Sequence, residues 1–185
     1  MTPPAVATQG AAGSAAEAAA IDAAAHALGA ALRTRGWMMA AAESCTGGGV
    51  AFAITQVVGA SHWFDRGFVT YSNEAKQQML GVPAELIAAH GAVSEPVAQA
   101  MARGALAHSR ARAALAVTGI AGPGGAVPGK PVGTVCFAWA VRGDDVPQLT
   151  AATQRFDGDR AAVRTQAIVH ALAGLRRAID AALPT

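Results

Sequence analysis

Hydrophobic positions along this chain follow two alternating rhythms. From Glu17 to Arg35, Ile21, Ala25, Leu28 and Leu32 fall at helical spacing, and Gly36 supplies a stop. The next segment, "WMMAAAE" (37–43), is short, apolar and unbroken, which suits a strand buried on both faces. "TGGGVAFAITQVV" then reads as a tight turn entering a helix that Gly59 ends. "RGFVTYS" is aromatic and β-branched and predicts a strand, after which Asn73 can cap a helix from Glu74 to about Leu80. Pro83 opens a short helix stopped by Gly91, and Ser94 followed by Glu95 and Pro96 starts a longer one that reaches about Ser109.

"AALAVTG" (113–119) predicts another buried strand, and the glycine- and proline-rich "IAGPGGAVPGKP" predicts an irregular loop at its end. "VGTVCFAWAV" and "LTAATQRF" read as two strands joined by the turn "RGDDVP". A last helix begins in "DGDR", with Val163, Ala167, Leu172, Leu175 and Ile179 as its buried stripe. Strands alternating with helices predict an α/β fold whose sheet is covered on both faces, and the final hairpin makes that sheet mixed. Residues 1–16 are low in complexity and read as a frayed tail, leaving a single domain over 17–183.

Composition changes this picture little. The chain has 185 residues, a natural size for one core, and its 52% hydrophobic content is rich in alanine. No apolar run approaches the roughly 20 residues of a membrane span, so a soluble protein is expected. A net charge of +2 is too small to mark a nucleic-acid surface. Cys45 and Cys136 lie far apart, without zinc or disulfide spacing, which suits a reducing cytoplasm. The start lacks the basic and leucine-rich regions of a secretory signal.

Ligands of open α/β folds bind at the carboxyl ends of strands. Three loops qualify here: "ESCTGGG", "TYSNEAK" and "TGIAGPGG". The first sets the carboxylate of Glu43 before three side chains with nucleophilic atoms and then three glycines. Such glycines let backbone N–H groups approach a phosphate or a developing oxyanion, although turns that simply need positive φ explain each loop equally well. Candidate nucleophiles are Ser44, Cys45, Thr46, Ser61, Thr118 and the only tyrosine, Tyr71. Arginine dominates the cations, and the only lysines are Lys76 and Lys130. An amine can lose its proton where a guanidinium cannot, so Lys76, inside the second loop, is the natural base for a serine. None of the five histidines falls in these loops, and His90 and His108 read as helix-terminal surface residues. Arg160 and Arg164 share a face at the start of the last helix, where a bound anion would offset the dipole; neutralisation by Asp157 and Asp159 explains them as well.

The stretches "AESCTGG", "RGFVTYSNEAK", "LGVP", "HGAVSEPVA", "VTGIAGPGG", "KPVGTV" and "GDRAAVR" occur in that order between about Gly36 and Leu175. Together they resemble the C-terminal domain of the competence/damage-inducible protein CinA, a family that includes stand-alone nicotinamide-nucleotide amidases. The resemblance implies a three-layer α/β/α sandwich that hydrolyses the carboxamide of nicotinamide mononucleotide, with Ser44, Lys76 and Tyr71 at the positions of the family's serine, lysine and tyrosine. It implies no metal and no organic cofactor, and a homodimer or higher homo-oligomer. On this reading neutral Lys76, relayed by Tyr71, activates Ser44, and backbone N–H groups near Thr46, Gly47 and Gly48, or at Thr118 and Gly119, receive the oxyanion. Arg160 or Arg164, with the loop containing Gly122, holds the 5′-phosphate, and Ser61 lies at the pocket rim or assists the proton relay. A non-catalytic nucleotide-binding module is the alternative. Between "GPGG" and "KPVG" this chain reads "AVPG", where the family is usually more acidic.

Overall fold

The computed structural model describes residues 11–143 and 146–182. In chain order the elements are α1 (Ala11–Arg35), β1 (Met39–Glu43), α2 (Gly49–Thr55), a 3₁₀ turn (Ala60–His62), β2 (Phe64–Val69), α3 (Asn73–Leu80), α4 (Ala84–His90), α5 (Glu95–Ala107), β3 (Ala113–Gly119), β4 (Thr134–Val141), β5 (Gln148–Arg155) and α6 (Arg160–Ala181). The strands form one sheet in the order β2-β1-β3-β4-β5. β2, β1 and β3 run parallel, and β4 and β5 complete the sheet antiparallel. Helices cover both faces, giving the mixed α/β architecture that the alternating pattern predicts.

The two faces of the sheet differ in side-chain size, because successive strand residues point to opposite sides. Met39 of β1, Leu115 and Val117 of β3, and Phe137 and Trp139 of β4 enter one core with α1, α2 and α6. Their neighbours Ala40, Ala42, Ala114, Ala116, Ala138 and Ala140 face the other core, beneath α5. Alanine on that face lets α5 lie close to the strands, and Val97, Met101 and Leu106 fill the remaining space. Gly104 of α5 sits so near α3 that an added Cβ would strike the Leu80 carbonyl.

Boundaries differ from the pattern where local chemistry intervenes. α1 starts at Ala11, within the stretch read as a tail, while residues 1–10 and 183–185 lie outside the described residues. The turn "RGDDVP" includes 144 and 145, which lie outside them too. Trp37 precedes β1 instead of joining it; the guanidinium groups of Arg35 and Arg112 lie over its ring at 4.9 and 5.0 Å. Ser72, not Asn73, caps α3, its Oγ accepting from the Ala75 N–H at 3.0 Å. Among the described residues no helix is long and apolar enough to cross a membrane.

Candidate active site

The parallel strands β1, β2 and β3 deliver their following loops to one end of the sheet. There a cleft of about 190 Å³ opens between Ser44 and Cys45 after β1, Tyr71, Asn73 and Lys76 after β2, Thr118 and Gly119 at the end of β3, and Arg160 from α6. The backbone fixes this convergence. The Ser44 N–H continues the β1–β3 ladder by donating to the Val117 carbonyl at 2.9 Å, and the Thr70 N–H donates to the Glu43 carbonyl at 2.7 Å.

Lys76 stands one turn into α3, and its side chain runs inward until only 1% of the residue is exposed. Its Nζ donates to the Thr70 carbonyl at 2.8 Å and lies 3.1 Å from Ser44 Oγ. Among the described residues no ion pair includes it. Burial pushes the ammonium pKa below its ordinary value of 10.5, against an opposing pull from Cys45. The neutral amine has two N–H groups and one lone pair. The Thr70 carbonyl can only accept, so it takes one N–H and leaves the lone pair free for the Ser44 hydroxyl.

Cys45 lines the same cleft with the opposite outcome. Burial pushes its thiol up to about 12, so it stays protonated at neutral pH. The glycine turn also differs from an open anion cradle. Gly48 is the N-cap of α2 at φ 91°, a conformation that suits glycine, and its N–H donates to the Glu43 carboxylate at 3.0 Å. The N–H groups of Val50 and Ala51 and the Thr46 hydroxyl go to the same carboxylate, and the Gly47 N–H goes to the Ser44 carbonyl. Among the described residues the N–H groups of Cys45 and Thr46 meet no backbone acceptor.

The other expected residues separate by position. Thr118 Oγ1 donates to the Ala92 carbonyl at 2.8 Å, which ties β3 to the loop before α5 and makes Ala92 and Val93 a wall of the cleft. Tyr71, 62% exposed, stands at the mouth and accepts from Arg160 Nη2 at 3.1 Å. Among the described residues its hydroxyl bonds neither Ser44 nor Lys76. Arg160 Nη1 donates to the Gly122 carbonyl at 2.8 Å, so Gly122 helps hold the guanidinium across the mouth. Arg164, half-buried, donates to the Thr46 carbonyl at 2.7 Å and braces the turn that follows Ser44. Lys130 donates to the His90 carbonyl at 2.7 Å. The structure does not bring Ser61 into this cleft. It is exposed in the 3₁₀ turn before β2, at the end of the sheet where β1 and β2 begin.

Sequence reasoning gave Asn73 only a capping role. With Ser72 already acting as the cap, the Asn73 side chain remains to line the cleft. Two adjacent capping-competent residues were the available signal, since only one of them can occupy the N-cap. Among the described residues no group of three His, Cys, Asp or Glu side chains could hold a metal ion.

Known proteins share this sequence and this fold. The family model of the CinA C-terminal domain matches residues 21–179. A competence-damage inducible protein of Symbiobacterium thermophilum is 59% identical over 157 residues, which are 82% of this chain and only 37% of that longer protein. The nicotinamide-nucleotide amidohydrolase PncC of Escherichia coli (strain K12) is 56% identical over 146 residues, covering 78% of this chain and 86% of that enzyme. Among solved structures, the competence/damage inducible protein CihA from Agrobacterium tumefaciens superposes with a TM-score of 0.82 at 43% identity, covering 87% of this chain and 96% of that one. A family model spanning most of the chain, with relatives above half identity, leaves one assignment: this chain belongs to the CinA C-terminal domain family.

Proposed function

We propose that the protein hydrolyses the carboxamide of nicotinamide mononucleotide to nicotinic acid mononucleotide and ammonia, with Ser44 as nucleophile and Lys76 as base. The observation that carries this is the 3.1 Å approach to Ser44 Oγ of a buried Lys76 Nζ that has no ion pair among the described residues. The name of the Escherichia coli relative, which this chain matches over most of its length, supports the same substrate.

In the first half-reaction the Ser44 proton passes to Lys76 Nζ as Oγ bonds the amide carbon. The tetrahedral oxyanion is received by the N–H of Thr46, which meets no backbone acceptor among the described residues. The C–N bond then breaks, Lys76 returns its proton to the leaving nitrogen, and ammonia departs from a Ser44 ester. Water attacks that ester as Lys76 takes its proton, and Lys76 passes that proton to Oγ as the C–Oγ bond breaks, which restores Ser44 and the neutral amine and releases the acid as its carboxylate.

The cleft, at about 190 Å³, is smaller than the ~300–1,000 Å³ typical of sites that enclose a whole drug-sized ligand. It takes the pyridine carboxamide, and the ribose 5′-phosphate lies at the mouth, within the field of Arg160. Tyr71 orients that guanidinium. Incubating the purified protein with nicotinamide mononucleotide and measuring ammonia, with Ser44→Ala as control, tests this directly. Folded wild-type protein that binds the nucleotide but releases no ammonia would be a binding module instead.

A further inference from the structure

Glu43 carries a fully buried carboxylate that no step above uses. It ends β1, directly before Ser44. Its Oε2 accepts from Thr46 Oγ1 at 2.7 Å and from the N–H groups of Gly48 and Val50, both at 3.0 Å. Its Oε1 accepts from the Ala51 N–H at 2.8 Å. All four donors belong to the turn after Ser44 or to the first residues of α2. The Glu43 backbone reaches the base as well. Its carbonyl accepts from the Thr70 N–H at 2.7 Å and from Thr70 Oγ1 at 3.3 Å, and the Thr70 carbonyl in turn accepts from Lys76 Nζ.

We infer that Glu43 is the positioning residue of the Ser44–Lys76 pair, and that its carboxylate, not a substrate anion, fills the glycine turn. A carboxylate can accept all four of those hydrogen bonds at once, whereas an amide of the same shape presents N–H groups to at least one donor. Replacing it leaves buried donors facing a donor, and the turn must move to relieve them. Ser44 is the turn's first residue, so this movement reaches the nucleophile before anything else. The same arrangement removes the α2 amides from the reach of the substrate phosphate.

This inference rests on the amidase reading, but one readout does not need it. Wild type, Glu43→Gln and Thr46→Val are compared below their unfolding transitions, first for ammonia release from nicotinamide mononucleotide, then for the rate at which a fluorophosphonate labels Ser44. A nucleophile displaced by a fraction of an ångström predicts kcat about ten- to a hundred-fold lower for Glu43→Gln, with KM changed by less than about threefold. Thr46→Val, which loses one of the four donors, falls between it and wild type, and labelling slows in the same order. Wild-type kcat and labelling in folded Glu43→Gln would overturn the inference, as would a raised KM at unchanged kcat. Should Glu43→Gln not fold, Thr46→Val decides by the same criteria. If wild type releases no ammonia the amidase reading fails, and the labelling series still decides the role of Glu43.

Discussion

Lys76 Nζ and Ser44 Oγ are 3.1 Å apart in a site where burial holds the lysine's pKa below 10.5. A base works only when deprotonated, so ammonia release is expected to rise with pH through a midpoint below 10.5. Lys76→Met and Lys76→Arg should both abolish turnover; retained activity in either would remove Lys76 as base. Stability moves in the same direction. Between the lowered folded-state value and the unfolded value of 10.5, the unfolded chain binds a proton that the native protein does not, so stability increases with pH across that window. Below it the native state carries the full cost of a buried ammonium. Lys76→Met should therefore flatten the pH dependence of denaturant unfolding and raise Tm at pH 7.

Cys45 lies beside Ser44 and is chemically the softer nucleophile, yet burial pushes its thiol up to about 12. Cys45→Ala is expected to keep most of the turnover, losing about 1 kcal/mol of stability at most. Ser44→Ala is expected to lose about 10⁴-fold or more in kcat. Steady-state kinetics on the two variants checks this. The reverse pattern would transfer the nucleophile to Cys45.

The close seat of α5 makes a separate, structural prediction. A Cβ at Gly104 would meet the Leu80 carbonyl, whereas at Gly124 it meets nothing within 4 Å. Gly104→Ala should destabilise the protein by about 1–3 kcal/mol through overpacking, and Gly124→Ala should change little. Denaturant titration of the pair measures the difference. Equal effects would mean that α3 can shift away from α5 without cost.

The hydrophobic pattern was enough to place the helices and strands, because alternating periods and glycine stops are local properties. It did not show which of two adjacent residues caps α3. Ser72 and Asn73 have similar capping chemistry, and only the three-dimensional turn decides between them. Ser44 and Lys76 were legible because their residue types restrict the chemistry open to them. Glu43 was visible as an oddity but not as a clamp, since its four donors follow it in a turn whose shape no spacing rule encodes. Ser61 lies on the chain between two site loops, but the crossover from β1 to β2 carries it to the opposite end of the sheet.

Arg160 and Arg164 looked equivalent in sequence, four residues apart on one helical face. The structure divides them: Arg160 reaches the cleft mouth through Gly122 and Tyr71, and Arg164 donates to the Thr46 carbonyl. If Arg160 meets the phosphate, Arg160→Gln loses a charge-assisted interaction worth about 1.5–3 kcal/mol, or about ten- to a hundred-fold in KM. Nicotinamide riboside, which lacks the phosphate, should be a poor substrate for wild type and should lose nothing further with Arg160→Gln. Arg164→Gln frees the Thr46 carbonyl instead, so it should lower kcat and Tm while keeping the preference for the phosphorylated substrate. Measuring kcat and KM for both substrates with both variants separates the roles. Loss of the phosphate preference in Arg164→Gln, with Arg160→Gln unaffected, would move the anion site behind the turn and require the Thr46 contact to break when substrate binds.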